Sequence, residues 1–172
     1  MGDRILVTYA SKHGATAEIA ERIGKTLGKA GLPVDVMSVE RVGDPAAYRA
    51  VVLGSGVYIG RWRRQAAAFL RRNVEVLAGR PIWLFSSGPT SPGEPAAFMK
   101  GRRLPGSLLP VADRIKPRDI VIFHGAVNPK TLGFIEKWMI KNVKAPIGDF
   151  REWDAIDGWA KSISDALLRE KP

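Results

Sequence analysis

Ser11, Gly14 and Thr16 stand close together near the start of the chain, with Lys12 and His13 between the first two and Ala15 between the last two. The stretch around them, YASKHGATAEIA, follows the strand-like run Ile5-Leu6-Val7 and leads into Ala17, Glu18, Ile19, Ala20 and Ile23, which favour a helix. A helix N-terminus presents unpaired N–H groups and a partial positive charge. Glycine for close approach and two hydroxyls for hydrogen bonding make such a terminus a phosphate site. Lys12 and His13 add charge to the same loop. Serine and threonine are also the usual helix caps, so this segment alone leaves both readings open. The chain contains neither G-x-G-x-x-G nor G-x-x-x-x-G-K-S/T, and the phosphate expected is therefore that of a mononucleotide.

Such a loop needs a strand behind it and a sheet around that strand. The pattern predicts strands at Arg4 to Tyr9, Val34 to Val39, Tyr48 to Ser55, Pro81 to Ser87 and Asp119 to Val127. Helices are predicted over Ala15 to Ala30, Trp62 to Ala78 and about Trp153 to Glu170, the first ended by Gly31 and Pro33. Repeated β-then-α order implies right-handed crossovers and a parallel sheet covered on both faces. Ligands bind beyond the carboxyl ends of such strands, where strand order reverses. Three loops meet there: Tyr9 to Ala15, Ser55 to Trp62, and Ser86 to Thr90 with its continuation. The reading is one domain over residues 1–172 with a long loop insertion at about 88–118.

Composition narrows the chemistry. The chain has 172 residues and no cysteine, which excludes disulfides, thiolate metal sites and cysteine nucleophiles, so redox chemistry must come from a bound cofactor. His13 and His124 lack carboxylates at ligand spacing, so no metal site is expected, and His124 reads as structural. No catalytic acid or base stands out. No apolar run approaches a membrane span and the first strand starts at Arg4, so the expected location is the cytoplasm. The net charge is +10 and uneven: residues 61–144 carry 16 basic and 5 acidic side chains. That sign points to an anionic partner: a nucleic acid, a membrane or a carboxylate-bearing substrate. A nucleic acid is not expected, because the arginines alternate with a helical core face and lack exposed aromatic interleaving.

The run from Val7 to Thr16, followed by Ala20 and Ile23, resembles the flavodoxin signature, an aromatic at the strand end and then S-x-x-G-x-T. It departs at Thr8, where that family usually has an apolar residue. The resemblance implies a flavodoxin-like three-layer α/β sandwich, with a five-stranded parallel sheet of order 2-1-3-4-5 and helices on both faces. It implies FMN as cofactor, its phosphate held by Ser11, Lys12, His13, Gly14, Ala15 and Thr16. The second loop, Ser55, Gly56, Val57, Tyr58, Ile59 and Gly60, would lie on the isoalloxazine ring. There Gly56, free to take a positive φ, would let its peptide turn toward N5. Tyr58 or Trp62 would stack on the ring, or Trp62 would start the following helix and pack in the core. The third loop, with Ser86, Ser87, Gly88 and Thr90, would offer N–H groups to N1 and O2, Pro89 excepted. A receiver domain shares the element order, but Ser11-Lys12-His13 and Gly54-Ser55 stand where it needs aspartates.

Within the superfamily the chain is most similar to the menaquinone-dependent protoporphyrinogen oxidases. The similarity rests on Trp138-Met139-Ile140-Lys141, on Asp149-Phe150-Arg151 and Asp157-Gly158-Trp159, and on the loop Gly54 to Gly60. It implies an enzyme of heme biosynthesis that passes electrons from a porphyrinogen through FMN to a quinone. Arg102 and Arg103, in the long insertion, are the candidate holders of the substrate's propionates. The segment TLGFIEKWMIKNVKAP places Phe134, Trp138 and Met139 beside Lys130, Lys137, Lys141 and Lys144. It reads as a basic amphipathic helix, lying peripherally on an anionic membrane at its inner face or covering the edge of its own sheet. The alternative function is a basic flavodoxin, an electron carrier with no substrate of its own. Sequence leaves the oligomeric state open.

Overall fold

Alternation along the central strands decides which layer each side chain enters. The computed structural model describes residues 2–88, 102–128 and 148–170, together with positions 130, 132–134, 137, 138 and 141. Strands β1 (Ile5–Ala10), β2 (Val34–Ser38) and β3 (Ala50–Tyr58) pair in parallel, and so do β3, β5 (Ile82–Ser87) and β6 (Asp119–Phe123). The order across the sheet is β2-β1-β3-β5-β6, with the two-residue β4 (Arg61–Trp62) turning back antiparallel on β3. Counting the five long strands alone, this is the order 2-1-3-4-5.

Ile5, Val7, Val52, Trp83 and Phe85 face one layer, made by α1 (Ala15–Lys29) and α5 (Trp153–Arg169). The intervening Leu6, Val51, Leu53, Ile82 and Leu84 face the other, made by α2 (Arg64–Arg72), α3 (Val74–Ala78) and α4 (Leu109–Ile115). The period-2 pattern of strands buried on both sides produces these two cores. Gly54 belongs to the first layer, and a Cβ there would overlap the Phe85 ring. Thr8 belongs to the second; it is fully buried and its Oγ1 has no hydrogen-bond partner. Thr8→Val keeps the shape and removes the orphaned hydroxyl, so it should raise unfolding stability by about 1 kcal/mol in a urea titration.

Two predicted elements divide. The helix expected over Trp62 to Ala78 is α2 and α3, separated at Asn73, whose Nδ2 donates to the Phe69 carbonyl at 2.8 Å. The Asn73 backbone leaves the helical region there, at φ −109° and ψ 19°, while its N–H still donates to the same carbonyl at 3.2 Å. Trp62 lies in β4, before the helix begins. The strand expected over Asp119 to Val127 ends at Phe123. After His124 and Gly125 the chain forms β7 (Ala126–Val127), which pairs antiparallel with β8 (Gly148–Asp149) in a separate small sheet. His124 is buried, with Nε2 3.9 Å from Glu152 Oε1. Residues 89–101 of the predicted insertion lie outside the described residues. So does most of the basic segment, where Phe134 and Trp138 are 88% and 62% exposed.

Candidate functional site

The β1–α1 loop bends through Gly14, which takes φ +92°, a left-handed conformation that suits glycine. The Gly14 N–H donates to Ser11 Oγ at 3.0 Å, which closes the loop without using the helix's own donors. α1 begins with no side-chain cap, so neither Ser11 nor Thr16 serves as one. The N–H groups of its first turn remain directed outward, as an anion requires. Thr16 is 4% exposed, and its Oγ1 would lie 3.2 Å from a Cβ placed on Gly56. Glycine at position 56 therefore keeps open the space above that hydroxyl.

That loop is one wall of an open pocket. Ser11, Lys12, His13, Ala15 and Thr16 line it from β1–α1, and Gly56, Val57 and Tyr58 from the end of β3. Lys12 Nζ lies 5.7 Å from the centre of the Tyr58 ring, which joins the two loops across the mouth. Gly56 does not have a positive φ; it is extended and pairs with Ser87 within the sheet. The positive φ angles fall instead on Ile59 (49°) and Gly60 (68°), the two-residue turn between β3 and β4. Both positions of such a hairpin turn need φ above zero. Ile59 and Gly60 do not line the pocket.

Ser55 and Ser86 share the strand parity of Leu53 and Leu84 and so face the α2 layer. Ser55 Oγ accepts the Arg63 N–H at 2.9 Å, and Ser86 Oγ accepts Trp62 Nε1–H at 2.8 Å. Trp62 is 6% exposed: it packs in the core and does not stack at the mouth. These two serines hold the β4–α2 segment, which brings Arg63 into the pocket. Sequence reasoning missed Arg63; its place after a Gly60 turn and before a helix was the available signal.

Ser87 and Gly88 form the third wall, but the Gly88 N–H donates to the Phe123 carbonyl at 3.2 Å. Thr90 lies outside the described residues. Gly125, Ala126 and Val127 complete this side, joined by Leu132. They too were missed, because the run DIVIFHGAV reads as one continuous strand. The Phe150 N–H donates to the Gly125 carbonyl at 3.1 Å, and β8 pairs with β7, so residues 148–150 support this wall.

Arg151 then joins it to the phosphate loop. Its guanidinium meets both oxygens of Asp149, the Glu18 carboxylate and the Ala15 carbonyl, and lies 4.7 Å from the centre of the Trp153 ring. The Arg151 hydrogen bonds hold the Asp149 carboxyl below its ordinary range, against the opposing effect of burial. Arg102 and Arg103 are exposed and do not line the pocket; Arg103 Nη1 is 3.2 Å from the Ile120 carbonyl and 3.5 Å from Asp119.

Among the described residues that line the pocket there is no carboxylate. Left-handed Gly14, the uncapped start of α1, the space kept by Gly56 and an orphaned buried donor on Arg63 all fit an anionic, planar group such as FMN.

Comparison with known proteins agrees with this arrangement. The family described as Flavodoxin domain matches residues 6–153. Protoporphyrinogen IX dehydrogenase (quinone) of Escherichia coli strain K12 is 21% identical over 180 aligned residues, covering 98% of each chain. A flavodoxin from the domain Archaea superposes with a TM-score of 0.63 at 14% identity, covering 96% of this chain and 99% of the other. Oxidised flavodoxin 2 of Bacillus cereus does so with a TM-score of 0.56 at 19% identity, covering 98% and 99%.

Proposed function

We propose, for a chain that belongs to the flavodoxin domain family, that it oxidises a porphyrinogen and delivers the electrons to a quinone. FMN is its cofactor and supplies the electron transfer. Ser11, Thr16 and the first turn of α1 would hold the phosphate, and Val57, Tyr58, Gly88 and Gly125–Val127 would enclose the ring. Thr16→Ala is expected to weaken FMN about tenfold and to leave riboflavin, which has no phosphate, nearly unaffected in parallel fluorescence titrations. Equal losses for both would remove the phosphate from this loop.

The observation that carries the substrate reading is the cationic surround of a pocket without carboxylates. Lys12 lines the pocket. Beside it Arg61, Arg64 and Arg71 border a second open depression, whose lining among the described residues again holds no acidic side chain. Such a surround suits a flat molecule bearing carboxylates, which arginine binds through paired N–H groups. Arg102 and Arg103 extend the same charge into the insertion. The whole-length relation to a protoporphyrinogen IX dehydrogenase (quinone) supports the same substrate class.

Among the described residues no helix is long and apolar enough to cross a membrane. Exposed Phe134 and Trp138 beside Lys137 and Lys141 support a peripheral approach to quinone at an anionic bilayer. Anaerobic mixing tests the function. Protoporphyrinogen should bleach the flavin colour, and menaquinone should restore it. Flavin that stays bound and yellow under protoporphyrinogen would leave the basic electron carrier as the better account.

A further inference from the structure

Among the described residues that line the pocket, Arg63 has a buried donor that the fold leaves without a partner. Its Nε is shielded from solvent and has no hydrogen-bond partner, although it carries a donor on a permanently charged group. A buried donor without an acceptor destabilises the folded chain, and arginine does not escape this by losing a proton. The pocket lining it faces offers no carboxylate among the described residues.

The backbone around Arg63 is held on both sides of the residue. The Arg63 N–H is held by Ser55 Oγ at 2.9 Å, and its carbonyl accepts the Ala67 N–H at 3.1 Å, the first turn of α2. Ser55 pairs with Ala10, the last residue before the β1–α1 loop, on one side and with Ser86 of β5 on the other. Trp62 donates to Ser86 on β5. Arg63 thus springs from beside β3, the strand between β1 and β5, and lines the same pocket as Ser11, Lys12 and Thr16.

We propose that Arg63 is a charged donor to the FMN phosphate, adding its Nε–H to the uncharged donors of Ser11, Thr16 and the α1 N-terminus. The inference rests on FMN occupying this pocket. It makes the phosphate site partly ionic, and it gives the Gly60–Arg64 segment a ligand contact that fixes it. The same contact makes Arg63 a determinant of selectivity for FMN over riboflavin.

Flavin titrations of the full-length protein, followed by quenching of flavin fluorescence, test it. Arg63→Met should raise the Kd for FMN about tenfold to a hundredfold and change that for riboflavin by less than about twofold. Arg63→Lys, which keeps the charge but loses the planar fork, should fall between. Salt should weaken FMN binding more steeply in the wild type than in Arg63→Met. Unchanged FMN affinity, or equal losses for FMN and riboflavin, would overturn the assignment. Should Arg63→Met bind neither flavin, the same comparison in Arg63→Lys decides.

Discussion

Gly54→Ala is expected to lower unfolding stability by about 3 kcal/mol, the upper part of the range for overpacked cores. The backbone at position 54 is extended between β1 and β5, so alanine meets no conformational strain there. The effect is steric. The new Cβ would overlap the Phe85 ring, and that ring is fully buried with Phe123 and Trp159 at centroid distances of 6.0 and 6.1 Å. It has no free direction in which to move. Adding Phe85→Leu to Gly54→Ala should recover part of the loss, because the smaller side chain vacates the contested volume. Denaturant titrations of both variants provide the measurement; a single variant within about 0.5 kcal/mol of wild type would refute the packing argument.

Gly56→Val should instead spare the fold and abolish most cofactor binding. Position 56 is extended and pairs with Ser87, a setting in which valine is favourable. Its Cβ would lie 3.2 Å from Thr16 Oγ1 and 3.9 Å from the Ser87 carbonyl, and two methyl groups beyond it would fill the space between two pocket walls. Overpacking of this kind corresponds to a loss of about 3 kcal/mol, or roughly a hundredfold in FMN affinity. The apo-protein should melt at nearly the wild-type temperature. An FMN affinity within about threefold of wild type would show that the ligand does not use this space.

Much of the sheet was legible because its residues obey one rule. Ile5, Val7, Val52 and Phe85 alternate with Leu6, Val51, Leu53 and Leu84, and this period alone fixes both cores. The β1–α1 loop was legible for a different reason, its likeness to the flavodoxin signature, because its residues alone suit a helix cap as well as a phosphate site. What escaped was decided by contacts distant in sequence. Ser55 and Ser86 were expected at the cofactor, yet strand parity turns them toward α2, where Trp62 and Arg63 take their hydroxyls. Asn73 carries no mark in the hydrophobic period, yet its backbone, at φ −109° and ψ 19°, divides α2 from α3. Gly125 to Val127 became a pocket wall because residues 148–150 pair with them, which no local pattern reveals.

Arg151 reaches back 136 residues to the Ala15 carbonyl, and α5, which follows it, packs along α1. During synthesis on the ribosome the phosphate loop therefore emerges long before the residues that brace it. The wall around Gly125 gains its support only once residues 148–151 have left the exit tunnel, and α1 gains its covering layer only from the final helix. FMN should therefore load only after α5 has emerged, and a nascent chain halted before α5 should be colourless even where FMN is abundant.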